Sequence, residues 1–285
     1  MPTRGLEQML PAALIGSGVD VIDISLWPAT AEAYHNLDHA ARSAGRRILY
    51  QAGLIPGTPA LLVSRAMVRR PDLTRIRLAE AMNLPPLTPG ASASELIASV
   101  VGRPHVFRNG TWHRARSTET VRIDLGVPYG VRVCYPFDLA ELRSLPNRHG
   151  LEELACYSSG FGGSADRWFL LALLPGATRT ERILNWISRR VVGAINRTAQ
   201  PPFGICLKLD GWAEETGLAP AYTLCIRSDD PYLATGAAVV AALRQLAAGH
   251  LPGPGSFLMG EALDAEEALA DLERMDVEVI ESGAA

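Results

Sequence analysis

The apolar positions of this chain change period along its length, and the change divides it. Residues 5–16 repeat Leu6, Met9, Leu10, Ala13 and Leu14 at helical spacing and stop at Gly16 and Gly18. Residues 19–25 form a short apolar run ending in Asp23 and Ser25. A helix over 30–44 follows, with Ala33, Leu37, Ala40, Ala41 and Ala44 on one face and Gly45 as its carboxyl cap. A second apolar run, 47–52, closes on Gly53. Strand, helix, strand in that order predicts a parallel pair, whose ligands bind at the carboxyl ends of the strands. Asp23, Ser25, Gln51, Gly53 and Gly57 are thereby expected at one crevice. A helix over 58–69, with Pro59 in its first turn, is expected to point its amino terminus there.

Beyond residue 71 the period becomes two. Residues 73–82 begin by alternating apolar and polar, the mark of a half-exposed strand. Residues 83–92 carry Pro85, Pro86, Pro89 and Gly90 and read as a loop, after which Ser92 or Ser94 caps a helix to about Val101. Asn109-Gly110 predicts a hairpin turn, since these two residues best tolerate positive φ. Alternation returns at Val121, Ile123 and Leu125, at Val131, Val133 and Tyr135, and at 205–209 and 222–226; 151–157 reads as a further short strand. Val121, Ile123, Val131, Val133, Leu207, Leu224 and Ile226 are expected to build one apolar face of a mainly antiparallel sheet. Between these strands, 164–200 reads as a helical insert with Ile183, Trp186, Ile187, Val191, Ala194 and Ile195 on one face and arginines around the rest. The helix from 232 to 248 follows Asp229, Asp230 and Pro231, an acidic start that suits the helix dipole. A Pro/Gly loop at 251–255 precedes a strand at 257–259, a helix capped by Asp264 and a strand at 277–280.

With 285 residues, the chain can bury one large or two moderate cores. A net charge of −3 gives no basic field to draw nucleic acid. The four cysteines (Cys134, Cys156, Cys206, Cys225) lie far apart in apolar runs with no Cys-x-x-Cys pattern and read as buried reduced thiols. With neither a signal peptide nor an apolar run of membrane-spanning length, the protein is expected in the cytoplasm. The arginine-rich helix leaves two readings open: a solvated face or rim over an anionic pocket, and peripheral attachment to an anionic membrane.

The strand ending in Asp23 and Ser25, the helix closing on Ala40-Ala41-Arg42-Ser43-Ala44-Gly45, and the Gly53-Leu-Ile-Pro56-Gly57 turn resemble the saccharopine dehydrogenase-like family. So do, in order, Asp230-Pro231-Tyr232 with Thr235, the Pro-Gly loop, and the last helix with Asp264, Leu269 and Leu272. The resemblance implies an α/β fold: an incomplete Rossmann-type parallel sheet (residues 1–70, completed by 255–285) and an inserted α+β domain (71–254) with a mainly antiparallel sheet. It implies an oxidoreductase that reduces an imine or similar unsaturated substrate with NADP or NAD, or a non-catalytic binding or scaffold protein derived from that fold. The family's Gly-x-Gly-x-x-Gly turn is absent from these 285 residues. The chain is accordingly expected to be a truncated chain or one half of a split enzyme. A second copy or a partner chain would then cover the edge of strand 19–25.

Within that frame Asp23, Tyr135 and Tyr232 are the candidate catalytic residues, a phenol being able to give a proton to a reduced substrate. Ser25, Gly53, Pro56, Gly57 and Thr58 are the candidate cofactor-binding residues. For Asp23 and Ser25 the alternative is a cap on the next helix, for Tyr135 and Tyr232 it is packing in the core or at its rim, and for Gly53, Pro56 and Gly57 the tight turn itself. His35 and His39 share the i, i+4 spacing of metal ligands, but Asn36 stands where a zincin-type glutamate belongs, and no metal is expected. Asp229 and Asp230 read as a helix cap rather than as an acid–base pair.

Overall fold

The computed structural model describes residues 9–26, 28–88, 104–116, 118–161, 165–168, 181–213, 217 and 219–283. In chain order the elements are α1 (Met9–Gly16), β1 (Val21–Ile22), α2 (Pro28–His35), α3 (Asp38–Ala44), β2 (Arg47–Tyr50), α4 (Thr58–Arg69) and β3 (Arg75–Asn83). The middle of the chain supplies β4 (His105–Arg108), β5 (Thr111–Arg114), β6 (Val121–Asp124), β7 (Val131–Pro136), α5 (Leu145–His149), β8 (Glu153–Ser158) and α6 (Glu181–Thr198). Then come β9 (Gly204–Trp212), β10 (Tyr222–Ser228), α7 (Pro231–Ala248), β11 (Gly255–Leu258), α8 (Met259–Ala262), α9 (Ala265–Glu273) and β12 (Glu278–Ser282).

Two sheets result. The smaller is parallel, in the order β1-β2-β11. The larger runs β12-β10-β9-β3-β8-β4-β5, with β7 also on β8 and β6 on β7; all its pairs are antiparallel except β3 with β8. The chain is thus an α/β fold with a Rossmann-like parallel sheet and a mixed, mainly antiparallel one. Of residues 255–285, β11 joins the first sheet and β12 the second.

Local signals place these elements as physical chemistry requires. Gly45 closes α3 in the left-handed region at φ 64°, and Asn109 and Gly110 turn the β4–β5 hairpin at φ 50° and 78°. Asp230 accepts hydrogen bonds from the Tyr232 and Leu233 amides at the head of α7, and Asp264 accepts one from Glu267 at the head of α9. The main core lies between α4 and one face of the large sheet. Leu61, Leu62 and Val63 meet Ile76, Leu78, Leu154, Leu207, Leu209, Leu224 and Ile226, and the alanines of α7 (Ala234, Ala238, Ala241 and Ala242) let that helix pack closely. Each buried leucine, isoleucine or valine among them contributes about 1.5–3 kcal/mol. Arg65 of α4 pairs with Glu281 of β12, which also accepts from the Tyr222 hydroxyl, fixing the far end of the helix on the sheet.

Three expectations are corrected. The helix over 30–44 is two helices, because the chain turns at Asn36 and Leu37 and Asp38 starts afresh, its carboxylate accepting from Ser256 N–H and from Arg42. His35 and His39 therefore stand on different helices, both exposed. The large sheet is buried on two faces, not one: Ala79, Ala81, Cys206 and Cys225 form a second cluster with Ile123, Leu125 and Cys134, under the β6–β7 hairpin. Val131 and Val133 are outside it, 54% and 45% exposed, because the inward position of β7 is Cys134. The helix expected at 92–101 and part of the insert at 164–200 lie outside the described residues.

Candidate functional site

After β2 the chain ties a compact turn. Gln51 adopts φ 51°, the Gly53 N–H donates to the Pro56 carbonyl at 2.9 Å, and the Ile55–Pro56 peptide is cis. Both the Thr58 amide (3.2 Å) and its hydroxyl (3.1 Å) donate to the Gly53 carbonyl. Gly57 has φ 125°, and a Cβ there would collide with the Gln51 carbonyl and lie 2.7 Å from the Gly53 carbonyl and 2.8 Å from the Met259 sulfur. Glycine at 57 is a requirement of the turn itself. A Cβ on Gly53 would make ordinary contacts, 3.4 Å from the Pro56 oxygen and 3.6 Å from the side chains of Ile24 and Thr235.

Asp23 is fastened beside this turn: its N–H donates to Leu49 at 2.9 Å and its carbonyl accepts from Ala52 at 2.8 Å. Its carboxylate accepts from the Ser25 N–H at 2.9 Å and from the Tyr34 hydroxyl at 3.4 Å. Burial first, and the Asp23 charge second, push the Tyr34 phenol upward. The structure thus brings Asp23, Ser25, Gly53, Pro56, Gly57 and Thr58 together at the carboxyl ends of β1 and β2. Tyr232, 63% exposed, stands at the head of α7 one turn before Thr235, which reaches Gly53.

The head of α4 differs from expectation. Thr58, Pro59 and Ala60 are buried, and the Thr58 amide is already used by Gly53. Beside Gly57 lies Glu141, on a 3₁₀ turn at Ala140–Leu142, 1% exposed, with the Gly57 amide directed at its carboxyl. Burial pushes this carboxyl up to about 8, and the Gly57 amide offsets that only in part. The helix terminus read as an anion site faces a protonatable side chain of its own chain.

A second buried carboxyl belongs to Glu80. It is 3% exposed on β3, where burial raises it to about 7 against the pull of the Ser158 hydroxyl, and its Oε2 has no partner. Glu80 is in register with Ser158 of β8, and Ser158 with Tyr135 of β7, so the three side chains form one row on one face. Tyr135 is the 36% exposed end of the row. Buried Cys156, two residues before Ser158 on that face, has its thiol pushed up by burial and then by Glu80 and Glu141. The sequence reading missed both glutamates. Glu80 had a signal, a carboxylate at an apolar-period position among Ile76, Leu78 and Met82; Glu141, in a locally ordinary turn, had none.

A nicotinamide–ribose end asks for short donors and acceptors beside small side chains at strand ends, and Asp23, Ser25 and Gly53 meet that demand. A pyrophosphate asks for a glycine-rich run of open N–H groups. The α4 head does not fit it, and the described residues hold no such run. Among the described residues no three His, Cys, Asp or Glu side chains converge on a metal position.

No family model matches the chain, and no curated protein matches it significantly. Among solved structures, apo saccharopine dehydrogenase (L-Glu forming) from Saccharomyces cerevisiae superposes with a TM-score of 0.60 at 13% identity, covering 99% of this chain and 83% of that one. That likeness shows a distant relationship of fold. The structure of yvaA from Bacillus subtilis aligns at a TM-score of 0.28 and 11% identity over 95% of this chain and 75% of that one, too low to bear on the fold.

Proposed function

We propose that the chain forms the substrate side, and the nicotinamide end of the cofactor site, of an NAD(P)-linked oxidoreductase that reduces an imine or similar unsaturated substrate. The observation that carries this reading is the row Tyr135–Ser158–Glu80, which leads from the surface to a carboxyl holding a proton near neutral pH. The cofactor, when bound, would supply the hydride. This chain's residues then have three tasks: Asp23 and Ser25 orient the ring end over Gly53, Tyr135 gives a proton to the reduced substrate, and Glu80 replaces it through Ser158. Tyr232, at the rim, faces arriving substrate. Residues 1–70 and β11 make the cofactor side; most of 71–254 makes the substrate side.

The test joins two measurements. With the nucleotide-binding segment supplied, turnover of imine substrates with NADPH or NADH should fall at least tenfold in Tyr135→Phe while nucleotide affinity stays unchanged. Loss of nucleotide binding in Tyr135→Phe would refute the assignment of roles. Absence of nucleotide binding in the completed protein would favour a non-catalytic binding or scaffold protein on the same fold.

A further inference from the structure

Away from this seam, on the opposite face of the large sheet, two thiols meet. Cys206 on β9 and Cys225 on β10 are 0% and 4% exposed, with their sulfurs 3.5 Å apart. The register sets Cys206 opposite Arg227 and Lys208 opposite Cys225, so two thiols and two cations occupy the corners of one patch, the thiols on a diagonal. A fixed cation beside a thiol favours its thiolate, the form that reacts with oxidants. The acids near these cations do not cancel them: Glu278 approaches Arg227 only to 4.0 Å, and Asp210 divides itself between Lys208 and Arg77. The Cys225 thiol is drawn down, first by the hydrogen bond with Cys206 and then, against the upward push of its burial, by Arg227 and Lys208.

A cover lies over the patch. The Leu125 carbonyl accepts from the Cys206 thiol at 3.6 Å and from Arg227 at 3.4 Å, and the Asp124 carbonyl accepts from Lys208 at 2.9 Å. These carbonyls belong to the tip of the β6–β7 hairpin. That hairpin joins the large sheet through only two β7–β8 register pairs, Tyr135 with Ser158 and Pro136 with Tyr157. Its tip is therefore the part able to lift and admit a small oxidant.

We propose that Cys206 and Cys225 are an oxidant-responsive dithiol, oxidised by a peroxide to a disulfide between β9 and β10. The Cys225 thiolate attacks the peroxide oxygen, breaking the O–O bond to give a sulfenic acid and, with a proton, one water. Cys206 then attacks the Cys225 sulfur, the S–S bond forms as hydroxide leaves, and the Cys206 proton makes the second water. Two thiols are oxidised by two electrons and one peroxide is reduced. The Cys206 donor to Leu125 is lost in the product, so the hairpin tip is loosened.

The experiment treats the reduced, folded chain with hydrogen peroxide and follows intact mass, peptide mapping and hydrogen exchange. The expected result is a loss of two hydrogens mapped to a Cys206–Cys225 cross-link, reversed by dithiothreitol, with faster exchange at 124–130. Arg227→Gln should slow cross-linking about tenfold, the effect of roughly one unit of thiolate pKa. Cys156→Ala, in the core on the opposite face of the sheet, should leave it unchanged, a control that does not touch the pair. A cross-link through Cys134 or Cys156, or sulfinic acid at Cys225 without any cross-link in folded protein, would overturn the proposal. So would cross-linking that appears only after denaturation.

Discussion

Glu80 on β3 and Ser158 on β8 are partners in parallel register, and the serine hydroxyl bonds a carboxyl whose other oxygen is buried without a partner. Ser158 in turn accepts the Gly160 N–H at 3.2 Å, which fixes its oxygen and leaves its proton for Glu80. A donor of this kind favours the ionised carboxylate and so holds the carboxyl lower than burial alone would. In Ser158→Ala the Glu80 carboxyl should therefore titrate above its present value of about 7. Infrared difference titration of the protonated carboxyl band would check this, with Glu80→Gln identifying the band. A downward movement would contradict the hydrogen-bond direction.

The buried Glu141 makes stability depend on pH. Its folded value, about 8, lies above its value of 4.5 in an open chain, so the native state binds the extra proton between those limits. Stability is fully present below about pH 4.5 and drains away as pH rises to about 8. The slope is about 1.4 kcal/mol per pH unit at most, of order 3–5 kcal/mol in all. Glu141→Gln should flatten that part of the stability curve in denaturant titrations run across the range. The same slope in the variant would assign the dependence to other groups.

Much of the fold was legible because its signals are local. Gly45, Asn109-Gly110, Asp230 and Asp264 each act within a few residues, and each stands where the pattern put it. The strand ends at Asp23 and Gly53 were legible for the same reason, through the order strand, helix, strand. What was hidden depends on contacts between distant segments. Asp38 breaks the first long helix because it binds Ser256, 218 residues away. The inward side of β7 is set by the cluster around Cys206 and Cys225, which no alternation within β7 reveals. Glu141 becomes part of the site only because its turn is packed against α4.

That hidden facing yields a pair of substitutions with opposite outcomes. Val133→Asp, on the outward row, should change stability by no more than about 0.5 kcal/mol, whereas Leu78→Asp places an unpaired carboxylate in the main core and should unfold the protein. Thermal melting of the two variants side by side would check the facing. A collapse of Val133→Asp would mean that this row is covered.

The two glycines of the turn should separate likewise. Gly57→Ala forces a side chain into a left-handed backbone and against two carbonyl oxygens, and should cost of order 3 kcal/mol or more. Gly53→Ala meets only van der Waals neighbours, so its fold should survive. If the nicotinamide end rests on Gly53, the added methyl should weaken nucleotide binding in the completed protein without lowering the melting temperature. Equal melting losses in both variants would show that Gly53, like Gly57, serves the turn alone.

The parallel sheet leads to the last expectation. β1 pairs with β2 on one side, and no described strand pairs with its other side. A parallel strand is normally buried on both flanks, so such an edge calls for a partner. We propose that this edge is covered either by a second copy of the chain or by another chain, and that the phosphate-binding turn comes from the latter. Cofactor affinity comes largely from the pyrophosphate held on open amides at a glycine-rich turn. These 285 residues contain no Gly-x-Gly-x-x-Gly, and the head of α4 is closed by Glu141. Purified alone, the chain should give no saturable NADPH binding in the micromolar range by calorimetry, and affinity should appear when the strand-and-turn segment is added. Saturable micromolar binding by a monomer would contradict this, and would place the cofactor phosphates on residues other than those at the ends of β1 and β2.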